Sequence, residues 1–523
     1  MTRLYRNGTV WTGIWRDGQV ILSDALAVVA GRIAALGEAA RHVPATEVVD
    51  LDGGFLMPGF GDGHAHPMKG GIATLFAPIA ASTSVAQVQQ AVAAWASANP
   101  GEPWVRGEGY DPALAPLGVF DKAWLDDVVP DRPVVLRASD YHTTWVNSRA
   151  LEVAGINEDT PNPPRGVIER APMGTLREWG AWRLVDRHLP ALTTDQRRLV
   201  AERAFDYLVA QGITFVQDAW VEPDDLLTWQ LAPATVRANL ALLAEPETWR
   251  DQIAWFQAVR ADAAAHVSVG AVKFFADGII EGGTAHMLEP YCGCGDRGVA
   301  NWPSGELAAA VTAVVGAGFQ PHVHAIGDAG IRAALNAFAA AAAVHGHAGR
   351  PVVAHCQVVD PADLRRFVEL GVTANFEPLW LKLDSDQVVL TQPRLGAERS
   401  ARQYQAASLL ASGANVSFGS DWPISSGNPL EGIAVAVTRQ LSDGTPAQGW
   451  LPGERLTVDQ ALAAYTAGVA RQVGGTDCGT LRPGNRAELA WLAADPREVD
   501  PLCIADIEIR RIPGCESPAV LSP

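Results

Sequence analysis

Two histidines lie two residues apart at the end of an apolar stretch, His64 and His66 in Pro58-Gly-Phe-Gly-Asp-Gly-His-Ala-His-Pro67. Residues i and i+2 of a β-strand point to the same face, so both imidazoles are expected to project together. Paired imidazoles suit Zn²⁺ and similar ions. A His-x-His pair is also common by chance, and two unconnected loop histidines would give the same pattern. Other ligands must therefore converge on the pair before it indicates a metal site.

Three more apolar stretches end in a candidate ligand. His322 and His324 precede Ala-Ile-Gly-Asp, His355 ends Pro-Val-Val-Ala, and Asp421 follows Val-Ser-Phe-Gly-Ser. The carboxyl ends of barrel strands meet at one face, where catalysis is placed in that architecture. Ordinary core histidines would not be expected at the same position of successive strands. The repetition therefore predicts a divalent metal centre.

Two of the candidates allow another interpretation. Lys273 lies near the start of the apolar stretch Val272–Ala276, where an unpaired ammonium would be costly to bury. Either a salt bridge or carbamylation of the amine by CO₂ would explain it, and the residue types alone favour the salt bridge. Asp421 could instead cap the N-terminus of a following helix.

Apolar strand-like stretches that alternate with alanine-rich helical segments position these residues. This alternation is typical of βα units and a parallel sheet, and eight such stretches close a (β/α)₈ TIM-like barrel. The predicted strands are Phe55 to His66, Ile213 to Trp220, Val236 to Leu243, Val272 to Ala276, Phe319 to Ala325, Val352 to Cys356, Val372 to Phe376 and Val416 to Ser420.

Both ends of the chain have short strand-like stretches separated by turn signals. We predict one small β-sandwich built from residues 1–57 and 476–523, with the barrel in residues 58–475. The middle region is much longer than the roughly 250 residues of a typical barrel. It is therefore predicted to contain a large insertion at about 68–190, after the first barrel strand, which could cover the barrel mouth.

Composition restricts the partners and the location. The 523 residues have a formal net charge of −18, which argues against nucleic acid, since binding phosphates needs clustered Lys and Arg. Six irregularly spaced cysteines indicate reduced thiols rather than a disulfide framework. The chain begins without an apolar signal region and has no long uncharged apolar run, so no membrane association is expected. We expect a cytoplasmic protein that acts on a small molecule and that could form a homodimer.

The motifs resemble those of the amidohydrolase superfamily, and within it the YtcJ-like branch (amidohydrolase family 3) that includes N-substituted formamide deformylase. The resemblance covers nearly the whole chain. It rests on Pro58 to His66, Lys273 to Gly278, His324 to Asp328, His355 with Gln357, Gly419 to Pro423, His142 to Ser148, Gly166 to Glu169 and Gly479 to Ala487.

The resemblance implies one or two divalent metal ions, with Zn²⁺ expected. The implied metal ligands are His64, His66, His324, His355 and Asp421, with Lys273 as a carboxylated bridge if two ions bind. His322, two residues before His324, either supports a ligand or packs in the core. A bound metal lowers the pKa of water, and Asp421 would accept the water proton and return it to the leaving nitrogen.

Candidate substrate contacts are less specific. His142 could contact the substrate or only form local hydrogen bonds in a loop. Seventeen tryptophans suggest an aromatic lining for an apolar substituent, although most will be core. Besides His142, the tentative substrate contacts are Trp145, His322, Trp380 and Trp422.

No Gly-x-Ser-x-Gly motif supports a covalent nucleophile. Cys356 is expected in the core, and Cys292 and Cys294 in an inert turn. The first hypothesis is hydrolysis of an amide C–N bond, foremost in an N-substituted formamide, by metal-activated water. The same site would also suit N-acyl amino acids, cyclic amides, carbamates or esters. A hypothesis of another class is a binding protein that has lost catalysis, because a fold alone does not secure function.

Overall fold

The computed structural model describes residues 2–263 and 266–512. The described strands are β1 (Thr2–Arg16), β2 (Gln19–Val29), β3 (Arg32–Leu36), β4 (Glu47–Asp50), β5 (Phe55–Pro58), β6 (Phe60–Ala65), β7 (Val105–Tyr110), β8 (Val134–Ala138), β9 (Thr143–Val146), β10 (Val167–Arg170), β11 (Met173–Arg177), β12 (Ile213–Val221), β13 (Arg237–Leu243), β14 (Val267–Phe275), β15 (Gln320–Ala325), β16 (Val352–His355), β17 (Thr373–Phe376), β18 (Asn415–Phe418), β19 (Leu489–Leu492) and β20 (Ile509–Arg510).

Helices occupy much of the remaining chain. They are α1 (Gly37–Arg41), α2 (Pro67–Ala73), α3 (Val85–Ala98), α4 (Lys122–Asp126), α5 (Ser148–Ala154), α6 (Glu178–Asp186), α7 (Thr194–Ala210), α8 (Pro223–Trp229), α9 (Trp249–Ala261), α10 (Glu306–Gly316), α11 (Asp328–His345), α12 (Leu364–Glu369), α13 (Gln392–Ser400), α14 (Ala406–Ser412), α15 (Pro429–Thr438), α16 (Val458–Ala463) and α17 (Val469–Val473). Within the described residues, no helix combines the length and apolar character that crossing a bilayer requires.

Eight parallel strands form the central sheet, in the order β6-β12-β13-β14-β15-β16-β17-β18. All residues of β6, β15, β16 and β17 are buried, as expected of parallel strands covered on both faces. The amide of Asp421, just after β18, donates to the carbonyl of His64 in β6 at 2.7 Å. The first and last strands therefore meet, and the sheet is a nearly closed barrel, as the count of eight predicted.

Two details of the predicted strands are wrong. The stretch Phe55 to His66 is two strands, because β5 belongs to the sheet of the chain ends and only β6 to the barrel. They join at Gly59, where a Cβ would lie 2.4 Å from the side chain of Thr214. Lys273 lies near the carboxyl end of its strand rather than near the start, because β14 begins at Val267. This places the amine at the same end of the barrel as the histidines.

Both chain ends contribute to one seven-stranded sheet, in the order β20-β19-β5-β1-β2-β3 with β4 paired to β1. Tyr5, Leu26, Leu56 and Leu489 are buried in its core. The predicted β domain from both ends corresponds to this sheet, while a second, facing sheet and the domain boundaries stay predictions. The last residues of the predicted C-terminal part, 513–523 with Cys515, lie outside the described residues.

The segment between β6 and β12 contains a five-stranded sheet, in the order β10-β11-β9-β8-β7. Trp179 of α6 stacks on Trp220 of β12, with ring centroids 4.8 Å apart, and meets Phe275 of β14 edge-on. The segment thus packs on the carboxyl ends of two barrel strands. The insertion predicted at about 68–190 contains this sheet, and its boundaries and covering role stay predictions.

Candidate metal centre

The His-x-His pair is held at the end of β6 by a buried carboxylate. Asp62 accepts hydrogen bonds from the amide of His64 (3.1 Å) and from the amide and hydroxyl of Ser420 (3.0 and 2.6 Å). The next residue after Ser420 is Asp421. Asp62 therefore fixes the histidine strand and the aspartate loop against each other, although the sequence identified it only as part of a motif.

Asp421 lies beside both histidines. Its Oδ1 is 2.9 Å from Nε2 of His66 and 3.6 Å from Nε2 of His64. The backbone of Asp421 is in the left-handed region with φ 55°, a strained conformation that clusters at functional sites. The alternative role as a helix N-cap is excluded, because the following helix α15 is capped by Asn428.

His324 and His355 extend the cluster to the next two strands. Their ring centroids lie 4.6 Å apart, and the His355 ring lies 4.8 Å from that of His64. Nδ1 of His355 is 2.9 Å from Oε2 of Glu377, and Nε2 of His324 is 3.0 Å from the carbonyl of Gly278. One nitrogen of each ring is thereby engaged, which fixes the ring and leaves its other nitrogen available as a ligand.

His322 lies behind His64 and not in the cavity. Its Nε2 is 2.9 Å from Nδ1 of His64, and its side chain is fully buried. A hydrogen bond at Nδ1 leaves Nε2 of His64 available as a ligand. The tentative assignment of His322 as a substrate contact is therefore corrected to support of His64.

Lys273 has no carboxylate within salt-bridge distance in the described part of the chain. Its Nζ lies 3.4 Å from Nε2 of His64 and is 4.5 Å from the ring centroid of Phe275. Burial lowers the pKa of Lys273 to about 8, against the opposing charges of Asp421 and Glu377. The salt bridge that the residue types favoured is not formed, and the amine loses its proton more readily than an ordinary lysine does.

The chemistry of the donors fits a divalent metal ion. Burial, together with neighbouring cationic groups, lowers the pKa of His64 and His324 well below its usual value, so these imidazoles are neutral and can act as ligands. Oδ1 of Asp421 is buried, and Nε2 of His66 lies beside it. Ligand atoms lie within 4.8 Å of one another in two groups: His64, His66 and Asp421, and His64, His355 and Glu377. Imidazole with carboxylate is a set that Zn²⁺ and similar ions accept.

A cavity of about 390 Å³ opens onto these ligands. His142 lines it, with Nδ1 2.8 Å from Oε2 of Glu178. Burial lowers the pKa of His142, but the charge and hydrogen bond of Glu178 raise it further, to about 9. His142 is therefore an imidazolium at neutral pH, and its ring lies 5.8 Å from that of His324. It can donate a hydrogen bond to a substrate oxygen at the metal centre.

The predicted tryptophans divide between the cavity and the core. Trp380 lines the cavity and stacks on His355 at 5.3 Å. Trp145 and Trp422 do not line it and are corrected: the buried indole of Trp145 donates to the carbonyl of Asp121, and Trp422 stacks on Tyr207 at 4.3 Å. Trp220, which also ends a predicted strand, does line the cavity. An aromatic residue beside a strand end is not by itself enough to indicate a substrate contact.

Sequence reasoning missed two acidic residues that contact the histidines. Oδ1 of Asp218 lies 3.6 Å from Nδ1 of His66, and Glu377 contacts His355. Both were visible as signals, since Asp218 interrupts an apolar strand and Glu377 directly follows one. Cys356, in contrast, is buried as expected and contacts the carbonyl of Val353.

A nearly closed parallel barrel with histidines and an aspartate at the carboxyl ends of its strands defines the class of this protein. The model of the amidohydrolase family matches residues 47–512. The chain therefore belongs to the amidohydrolase family.

Three relatives with known names are similar over most of their length. Protein LONG AFTER FAR-RED 3 of Arabidopsis thaliana is 28% identical over 94% of this chain and 87% of its own. The amidohydrolase-family protein YtcJ of Bacillus subtilis (strain 168) is 28% identical over 90% and 89%. N-substituted formamide deformylase of Arthrobacter pascens is 26% identical over 92% of each chain. The predicted YtcJ-like relationship is confirmed.

The fold is shared with solved metal-dependent hydrolases. The crystal structure of an uncharacterized metal-dependent hydrolase from Pyrococcus horikoshii OT3 superposes with a TM-score of 0.76. It is 23% identical in sequence, and the match covers 96% of this chain and 99% of that one. At this identity the likeness shows the fold alone.

Proposed function

We propose that this protein hydrolyses the C–N bond of small-molecule amides at a divalent metal centre, with N-substituted formamides as the first substrate class. The observation that carries the proposal is the convergence of His64, His66 and Asp421, whose buried ligand atoms all lie within 4.8 Å of one another. When bound, a divalent ion lowers the pKa of water and polarises a carbonyl oxygen. Zn²⁺ is proposed because imidazole and carboxylate ligands suit it.

Six residues would hold the metal. His64, His66 and Asp421 form one side of the site, and His324, His355 and Lys273 the other. The partly uncharged amine of Lys273 can attack CO₂ and lose a proton, which gives an anionic carbamate. We propose this carboxylated lysine as the bridge between two ions. A single ion would leave Lys273 as an amine.

Two side chains would move or hold protons during hydrolysis. The carboxylate of Asp421 accepts the proton of the attacking water and returns it to the leaving nitrogen. Its position beside His66 keeps it within hydrogen-bond reach of groups at the centre. The imidazolium of His142, held by Glu178, donates to the carbonyl oxygen as negative charge develops there. Both roles need only groups that already face the cavity.

The first experiment is elemental analysis of the purified protein beside His64→Ala/His66→Ala. A matched control is His345→Ala/His347→Ala, which removes an exposed His-x-His pair of the same spacing. Metal near two atoms per chain, lost only in the first variant, would support the bridged site. A metal content near one atom per chain would indicate that Lys273 does not bridge two ions and has a structural role. A protein without metal, even after supplementation, would refute the proposal.

Substrate class is tested separately by formate release from N-alkyl and N-aryl formamides. N-acyl amino acids, cyclic amides, carbamates and esters are the alternative substrates for the same site. If one of these classes is hydrolysed and no formate is released from formamides, that class would replace formamides as the proposed substrate. A relative whose name is not that of an enzyme favours a second candidate, a binding protein without catalysis. Metal binding without hydrolysis of any class in the panel would support that candidate.

A further inference from the structure

One part of the cavity wall, called here its acidic side, contains three neighbouring carboxylates. Glu281, from the loop after β14, and Asp384 and Asp386, from the segment after β17, all line it. Glu281 accepts a hydrogen bond from the hydroxyl of Thr391, and Oδ1 of Asp384 accepts one from the amide of Gln387 at 3.0 Å. Two separate segments of the chain thus present carboxylates to one space.

Two acceptors on this side have no hydrogen-bond donor among the residues that the structure describes. They are Oδ1 of Asp386 and Oε1 of Gln387. Gln387 is only 4% exposed and lines the same cavity. A buried acceptor without a donor is destabilising, and native structures seldom leave one unsatisfied. The arrangement therefore lacks hydrogen-bond donors, which a ligand would supply.

The charges on this side also do not balance. Among the described residues, Lys382 lines this side with a positive charge, against the three carboxylates. Burial, with the charges of Asp384, Asp111 and Glu281, raises the pKa of Asp386 to about 7. A ligand with a positive charge would relieve this repulsion.

Apolar side chains also line this cavity. Leu379, Trp380 and Leu390 line it, and Trp380 stacks on the ligand His355. We infer that the substrate is an amide whose apolar portion ends in a cation, an ammonium or a guanidinium, which Glu281, Asp384 and Asp386 bind. The inference rests on the proposed hydrolase function and specifies its substrate class.

The test compares isosteric formamides. N-(6-aminohexyl)formamide and N-(4-aminobutyl)formamide are each set against the alkyl formamide in which a methyl replaces the ammonium. In wild type, we expect kcat/KM for the better of the two cationic substrates to exceed that for its alkyl counterpart at least about tenfold. Hydrogen bonds to charged groups are strong enough to give such a ratio. In Glu281→Gln/Asp386→Asn the ratio should approach one. Glu398→Gln removes an exposed charge from α13, outside the cavity, and should retain the ratio.

Failure of the inference and failure of the proposed function are separable. Hydrolysis of both members of each pair at equal rates, or a preference for the alkyl compounds, would overturn the inference and leave the hydrolase intact. If no formamide is hydrolysed, calorimetry with the intact N-(6-aminohexyl)formamide and N-heptylformamide decides, because only the first carries an ammonium. Tighter binding of the aminohexyl compound by at least about tenfold in wild type, but not in the double variant, would support the cation site. Equal binding would overturn it.

Discussion

Replacing Asp277 by asparagine should destabilise the loop that follows the proposed ligand His324. Oδ1 of Asp277 accepts the amide of Ile326 at 3.0 Å, and Oδ2 accepts those of Gly327 and His286 at 2.8 and 2.9 Å. The side chain is fully buried. An asparagine has one acceptor oxygen and a donor NH₂, so at least one backbone amide would face the NH₂ group. Both of these donors would then be buried without an acceptor. Since each unsatisfied buried donor costs about 1–3 kcal/mol, Asp277→Asn should lower the free energy of unfolding by about 2–5 kcal/mol.

Asp328→Asn is the matched control. Asp328 is also buried, at 3% exposed, but Oδ1 accepts a single amide, that of Leu288 at 2.7 Å. The amide oxygen of asparagine can keep this bond, so the expected loss is below about 1 kcal/mol. Urea unfolding of both variants measures the difference, and the metal content of Asp277→Asn should fall because His324 shifts. Equal unfolding midpoints for the two variants would refute the argument that the additional hydrogen bonds of Asp277 cause the difference.

Three further outcomes are expected. His322→Ala should weaken metal binding about 10- to 100-fold in a chelator competition, because His322 orients His64; unchanged affinity would show that packing alone holds the ring. The raised pKa of Asp386, about 7 against a usual 3.8, means that stability is lost as pH rises from about 4 to 7. Asp386→Asn should therefore raise Tm at pH 8 and leave it unchanged near pH 4, and no gain at pH 8 would contradict this. The pair of His142 and Glu178 stabilises fully between about pH 4.5 and 6.5, and less as pH rises through about 9. Glu178→Gln should remove this decline in unfolding experiments at pH 7 and 9.5, and an unaltered pH dependence would refute the pairing.

The positions of the candidate ligands could be predicted because strand alternation and the barrel place them without knowledge of their neighbours. His64 and His324 each end a strand, and parallel strands bring such ends together. Their supporting partners depend on which strands become adjacent and at what register. His322 and Lys273 illustrate this: they pair across neighbouring strands β14 and β15, a relation that the order of residues along the chain does not specify.

Aromatic side chains were harder to assign for a related reason. Trp145 lies within a family motif and Trp380 lies shortly after a strand end, yet only Trp380 faces the cavity. The hydrophobic effect favours burial of an indole equally in a core and in a binding site. The hydrogen bond of Trp145 to Asp121 shows that its polar atom is satisfied within the core. Local sequence does not distinguish these outcomes.

The sheet built from both chain ends has a consequence for the order of synthesis. β5 pairs with β1 on one side and with β19 on the other. The N-terminal strands leave the ribosome first, but β19 follows only after the whole barrel. Throughout that interval β5 has a free edge, and exposed edges promote association with other chains. The part of the protein that is made first is thus completed last, so the yield of folded chains depends on residues far from the metal centre.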